Sequence, residues 1–216
     1  MSRLARIGRG LRRAGWAALT AAAGTASAAT LSVSVVDQTG LPAAQVAVIV
    51  LSARHGAKAA PGPNLEVLQE KMKFVPAVAI VTPGTKVRFS NRDAWDHHVY
   101  GSKGQRFELR LPGSDNAVKA SPAATEVVMQ GGAGPVVLGC LLHSRMQGNL
   151  YLTDSPFHGI TDANGKVQIS GIPDGPVDVI VWHPQQFIEQ AATPLELAAT
   201  GSELTAKLNF TPRRRL

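Results

Sequence analysis

An all-β fold is what this sequence predicts, and three observations predict it. Short valine-rich segments recur between turns rich in glycine and proline, which number 21 and 14 in 216 residues. Several segments alternate apolar and polar residues with period two, beginning with Leu31, Val33 and Val35 against Ser32 and Ser34. No stretch keeps the 3.6-residue apolar period of a long amphipathic helix. Hydrophobic residues at 44% and charged residues at 17% supply a core and exclude wholesale disorder. The length allows one or two domains. A single cysteine rules out any intrachain disulfide.

The first segment reads as an export signal. Arg3, Arg6, Arg9, Arg12 and Arg13 precede a short, weakly apolar run over residues 14–23, and Ala26-Ser27-Ala28 fits a small-residue cleavage site. The run is too short for the roughly 20 residues a bilayer span needs. Residues 1–28 are therefore expected to be a signal peptide cleaved near Ala28, which places the mature protein in the periplasm with no stable membrane span. The same segment explains the net charge of +7. Five of the 22 basic residues lie in it with no acid, leaving 17 against 15 acidic residues, a net of +2. A body so near neutral, without a basic stripe or interleaved aromatics, is not a nucleic-acid binder.

The mature chain divides by composition. Thr30–Val36 and Val46–Leu51 are strands on either side of Asp37-Gln38-Thr39-Gly40, and read as a hairpin or meander. Residues 56–64, rich in Ala, Gly and Pro, form a linker after a first segment over 29–55. Leu65–Phe74 and Ala77–Thr82 follow as strands, then a Pro83-Gly84 turn and Lys86–Ser90. Asn91–His98 is a polar loop. Phe107–Leu111 and Thr125–Met129 are short strands flanking a polar stretch where a short helix fits. Pro135–Gly139 leads into Cys140, and Gly148–Thr153 closes this part, residues 65–154. Over 155–211 the strands are Gly159–Asp162, Val167–Ser170, Val177–Trp182, Thr193–Leu197 and Leu204–Phe210. Asp162-Ala163-Asn164-Gly165 and Pro173-Asp174-Gly175 are turn signals between them. Residues 212–216 are a basic tail.

One cluster carries chemistry. Cys140-Leu141-Leu142-His143-Ser144-Arg145-Met146 places a thiolate, an imidazole and a thioether in one turn between two strands. A second imidazole, His97 or His98, lies upstream in the polar loop. Taken singly, Cys140 reads as a small buried hydrophobe, His143 as a loop histidine and Met146 as a core plug. Taken together they form the ligand set of a type 1 copper site, two imidazoles and a thiolate with a weak axial thioether. Methionine is a poor zinc ligand. A lone thiol in an exported protein also needs protection from oxidation, which a metal gives. No orienting group or oxyanion hole accompanies a Cys–His nucleophile pair, so no enzyme activity is expected.

Residues 65–154 resemble a cupredoxin of the plastocyanin and amicyanin type. The resemblance rests on Phe74-Val75-Pro76, Pro83-Gly84-Thr85, Val87-x-Phe89-x-Asn91-x-Asp93, His97-x-Val99 and Cys140-x-x-His143-x-x-Met146. It implies one copper held by His97, Cys140 and His143, with Met146 axial. His98 stands where such proteins usually carry Asn and is the alternative to His97. Strand alternation favours His97, because it shares its face with Val99 and leaves His98 on the other. Leu31-x-Val33-x-Val35-x-Asp37-x-x-Gly40 and Thr161-Asp162-x-Asn164-Gly165 resemble a carboxypeptidase-regulatory-like, transthyretin-like sandwich interrupted by the cupredoxin. The whole is similar to exported cupredoxin proteins labelled methylamine utilisation proteins. The expected fold is thus a Greek-key cupredoxin sandwich plus a small prealbumin-like sandwich. The expected function is single-electron transfer with a redox protein partner such as a cytochrome or dehydrogenase. The alternatives are copper delivery without a redox circuit, or a structural module with a degenerate metal site.

Overall fold

The computed structural model describes residues 28–56, 58–113 and 124–213, and every regular element among them is a β-strand. In chain order these are β1 (Ala28–Val36), β2 (Ala47–Ser52), β3 (Leu65–Glu70), β4 (Lys73–Val75), β5 (Val78–Val81), β6 (Lys86–Asn91), β7 (His97–Ser102), β8 (Phe107–Leu111) and β9 (Ala124–Val128). They continue as β10 (Gly134–Cys140), β11 (Gln147–Leu152), β12 (His158–Ile160), β13 (Lys166–Pro173), β14 (Gly175–Trp182), β15 (Thr193–Leu197) and β16 (Ser202–Lys207). The expected signal peptide, except Ala28, the short helix within 112–124, and the end of the basic tail lie outside the described residues. No helix among the described residues is long and apolar enough to cross a membrane.

The strands make four sheets, ordered β13-β1-β16, β12-β2-β14-β15, β4-β3-β6-β9 and β5-β11-β10-β7-β8. The first two enclose one apolar core, built from Leu31, Val33 and Val35 of β1 against Val48 and Val50 of β2 and Val177, Val179 and Val181 of β14. The other two enclose a second core around Val67, Phe74, Phe89, Val99, Leu138 and Leu150. This second core also contains Cys140 and Met146. The chain enters the first pair of sheets, leaves it to build the second, and returns to complete the first.

A third apolar cluster joins the two sandwiches. Ala47, Ile49 and Trp182 face Val78 and Tyr151, and the Tyr151 and Trp182 rings lie 5.4 Å apart. Strand β2 is therefore covered on both faces, and Ala47–Val50 are all buried. That is why Val46–Leu51 is a continuous apolar run while β1 alternates: one strand lies between two cores and the other borders only one.

The expected hairpin between the first two strands does not form. Strand β1 pairs with β13 and β16, and β2 pairs with β12 and β14, in different sheets. A single bridge, Val36 to Pro42, is all that remains of the hairpin. The Asp37 turn does form, with its carboxylate accepting the N–H groups of Thr39 and Leu41. A hairpin would have left one face of β2 in water, and burial of its isoleucine and valines decides against it. Leu65–Phe74 likewise divides into β3 and β4, turning at Lys71 and Met72, both left-handed with φ of 53° and 57°. The Asp162 turn is as expected. Gly165 sits there at φ 71°, and a Cβ on it would collide with the Val35 carbonyl.

His183, next after β14, is buried against the Phe210 ring, and its Nδ1 accepts the Gln185 N–H at 3.1 Å. Burial pushes its pKa down to about 4. A depressed histidine is more easily protonated when unfolded, so stability is lost as pH falls from the ordinary value of 6.5 towards 4. The expected loss is about 1.4 kcal/mol per pH unit, or about 3 kcal/mol across the window. Burial lowers His158 in the same direction. Urea unfolding of the metal-free protein should give a midpoint that drops from pH 7 to pH 4.5, and His183→Gln should flatten that slope.

Candidate metal centre

Antiparallel pairing of β7 with β10 sets Cys140 opposite Val99, so His97, two residues before Val99, arrives beside the thiol. The chain then turns over residues 141–146 and enters β11. The turn is closed by the Met146 N–H donating to the His143 carbonyl at 2.9 Å. The Cys140 Sγ lies 3.8 Å from Nδ1 of His97 and 3.5 Å from Nδ1 of His143, and one ligand atom from each residue falls within 4.8 Å of the others. Among the described residues this is the group of histidine, cysteine and acid side chains placed to hold a metal.

The spacing fits an ion at the centre. Bonds of about 2.0 Å to nitrogen and 2.3 Å to sulfur at near-tetrahedral angles put N and S about 3.5 Å apart. Cys140 is 4% exposed and His97 fully buried, so the donors on that side are screened from water. His143 is half-buried and lies beside the exposed Leu141 and Leu142, with Arg145 also exposed. Met146 is buried in the apolar cluster that holds Cys140.

The polar loop fixes His97. Its Nε2 bonds the Asp93 carboxylate at 2.9 Å inside the fold. Burial, more than any other influence, holds His97 below the ordinary histidine value, against the pull of Asp93. The ring is therefore neutral at pH 7, with its proton on Nε2 and the Nδ1 lone pair turned to the thiol. Burial raises Asp93. The hydrogen bonds it accepts from the Met72 N–H, His97 and the Lys71 N–H outweigh that and hold it below the usual carboxylate range. Asn91, 1% exposed, ties the loop down: its amide donates to the carbonyls of Trp95, Leu111 and Pro112, and its oxygen accepts the Asp93 N–H. Asp96 accepts the Gly113 N–H and a bond from Arg110 at the far end.

His98 turns to the other face of β7, where its Nε2 lies 3.4 Å from a carboxylate oxygen of Glu108. Its backbone still tethers the two ligand loops. The N–H donates to Sγ at 3.4 Å, and the carbonyl accepts the Leu141 N–H at 2.9 Å. Trp182 packs in the seam and His183 on Phe210, while His55 meets the Phe157 ring edge-on. None of these three is in the metal group among the described residues.

The sequence shows Asp93 only as part of the Asn91-x-Asp93 string, which does not announce its bond to His97. The four-residue spacing from Asp93 to His97 was the available signal, but a loop has no fixed period that would turn spacing into contact.

No protein family matches the chain, and no curated protein matches it. Solved structures do. The purple cupredoxin of Nitrosopumilus maritimus matches at 15% identity and a TM-score of 0.34, over 42% of this chain and 100% of its own. The amicyanin of Paracoccus versutus matches at 22% identity and 0.34, over 49% of this chain and 96% of its own. The copper-containing nitrite reductase of Thermus scotoductus matches at 18% identity and 0.35, over 55% of this chain but only 28% of its own. Over about half of its length, then, the chain is similar to cupredoxins and to part of a copper enzyme.

Proposed function

We propose that the protein is a periplasmic type 1 copper protein that carries single electrons between redox partners, in which His97, Cys140 and His143 would hold the copper and Met146 would add a weaker thioether donor. The observation that carries this reading is the convergence of one thiol sulfur and a ring nitrogen from each of two imidazoles within 4.8 Å at the end of an apolar core. Copper bound there supplies reversible one-electron chemistry between its cupric and cuprous states. The protein does the rest. Asp93 holds His97 in the tautomer that presents Nδ1, the His98 N–H stabilises negative charge on Sγ, and burial keeps water away from the thiolate. His143 is the ligand nearest the surface, and Leu141 and Leu142, at 59% and 55% exposure, give a partner an apolar surface to press against. In this reading residues 65–154 are the cupredoxin domain and the flanking 29–55 and 155–211 are one prealbumin-like sandwich.

Addition of one equivalent of Cu(II) should produce an intense visible thiolate-to-copper band, and voltammetry should give a reversible one-electron wave. Colourless binding would leave a structural module, and colour without a reversible wave would favour copper delivery. His98→Ala should keep the band and His97→Ala should lose it.

Met146→Leu should keep both copper and colour. Leucine fills similar space but offers no lone pair, and a lost donor costs Cu(II) more than Cu(I), so the reduction potential should rise. Voltammetry of the variant checks this. Loss of all copper would mean that Met146 is a primary ligand.

A further inference from the structure

Lys71, Met72 and Lys73, where β3 turns into β4, are all exposed, and Met72 is 49% so despite its size. Tight left-handed turns are ordinarily built from glycine or asparagine. Holding a lysine and a methionine there takes a dedicated carboxylate: Asp93 accepts the Lys71 N–H at 2.6 Å and the Met72 N–H at 3.0 Å. The same carboxylate bonds Nε2 of His97, whose ring centroid lies 4.8 Å from that of His143. One side chain thus clamps the turn to the metal group. The path continues through both histidines to Leu141 and Leu142, which are exposed beside His143. Trp95, 45% exposed, comes from the same polar loop as Asp93. Met72, Trp95, Leu141 and Leu142 therefore place large apolar side chains in water at the metal end of this sandwich, more than isolated exposure accounts for.

The charge at this end has one sign. Lys71, Lys73, Arg92 and Arg145 are exposed, and none of them is in an ion pair among the described residues. Arg92 is fixed next to the turn by its N–H, which donates to the Gln69 carbonyl at 2.9 Å. The acids nearby are engaged. Asp93 is buried under the turn, Asp96 pairs with Arg110, and Glu108 lies beside His98. Glu70 faces Lys73 in the β3–β4 register and offsets only one of the four cations.

We infer that the Lys71–Lys73 turn is the recognition element for the redox partner, and that this partner is an acidic protein whose carboxylates ring an apolar contact. The inference rests on the electron-carrier reading above and adds the polarity of the partner and the element that reads it. Apolar side chains at the centre shed water and let two redox centres approach, while unpaired cations at the rim steer a negative surface and release it again. The occupant is a protein rather than an anionic bilayer because these groups flank His143, the ligand by which an electron would leave, and a bilayer accepts no electron. Clamping by Asp93 fixes the turn relative to the metal group, so a partner seated on the turn is held at one distance from His143.

The test is electron exchange, followed by stopped flow, between the copper-loaded protein and two c-type cytochromes of similar potential, one strongly acidic and one strongly basic. At low ionic strength the acidic cytochrome should react at least about tenfold faster, the lower end of what electrostatic steering supplies. Lys71→Glu with Lys73→Glu should remove that advantage while the copper band and the reduction potential stay unchanged. At 1 M salt, where the screening length is about 3 Å, wild type and paired variant should agree. Arg145→Glu probes the rim without touching the turn and should slow the acidic cytochrome in the same sense. In the metal-free protein, amide shifts on adding the acidic cytochrome should centre on residues 71–73 and 141–145, a readout that needs no copper. Equal rates with the two cytochromes, or a paired variant as fast as wild type at low salt, overturn the proposal and leave the copper site standing. Shifts centred elsewhere overturn it too. Binding to phosphatidylglycerol vesicles that the paired variant loses also overturns it, because the turn would then face lipid. A wild type with no reversible copper wave overturns the electron-carrier reading itself, and the proposal with it.

Discussion

Cys140→Ser is expected to abolish the visible copper band while both sandwiches stay folded. The thiolate contributes the short, covalent bond from which the colour of a type 1 site arises, and a serine hydroxyl neither ionises at neutral pH nor donates charge as sulfur does. The structural cost is small. Cys140 is 4% exposed at the last position of β10, and serine is close to it in size, so the penalty is that of a buried hydroxyl. That amounts to about 1–3 kcal/mol if unpartnered. Here the His98 N–H, which donates to Sγ, remains to bond it. Absorption spectroscopy after Cu(II) addition, beside far-ultraviolet circular dichroism of the metal-free protein, separates the two effects. An unfolded variant would show that the thiol is chiefly a packing residue.

Asp93→Ala should injure both the fold and the site. Its two carboxylate oxygens accept the Lys71 N–H at 2.6 Å and the Met72 N–H at 3.0 Å, and the second also bonds His97. Lys71 and Met72 hold a left-handed turn with no glycine or asparagine, so the turn between β3 and β4 depends on this carboxylate for its hydrogen bonds. Bonds to a charged acceptor contribute about 1.5–3 kcal/mol each, and water can replace part of that at a turn. We expect a loss of about 2–4 kcal/mol in urea unfolding of the metal-free protein. Copper affinity should fall about 10–100-fold, the usual result of removing the partner that orients a histidine ligand. Asp93→Asn should recover part of the affinity, because its carbonyl can still accept from Nε2. Because Asp93 is held below the ordinary carboxylate value of 3.8, the stability it gives is complete above that value and is lost as pH falls through its lowered pKa. Equal affinity in the wild type and Asp93→Ala would remove it from the site.

The sequence made the all-β class and most strand positions legible, because alternation and turn residues are local properties. Val67 and Phe89, and Leu31, Val33 and Val35, show burial that their pattern already implied. Partner choice was not legible where it depends on a second layer. Nothing local to residues 46–51 says that Trp182 and Tyr151 will cover the far face of β2, so a hairpin looked reasonable from the turn alone. The turn at Lys71 was hidden for a similar reason, since its determinant lies 22 residues away in Asp93. At the site, Cys140 and His143 stood out because their spacing is fixed within one short turn. His97 was preferred over His98 by strand phase, and the two side chains do leave β7 on opposite faces, towards Sγ and towards Glu108. The backbone role of His98 was invisible, because a main-chain N–H bonding to sulfur leaves no trace in residue type.

X-ray absorption at the copper edge, on the protein loaded with one equivalent of Cu(II), tests the central claim most directly. A first shell of one sulfur at thiolate distance and two imidazole nitrogens, with any further sulfur distinctly longer, is the result expected from Cys140, His97, His143 and Met146. A shell of nitrogen and oxygen alone, with no short sulfur, would contradict it, since copper would then be bound somewhere other than Cys140.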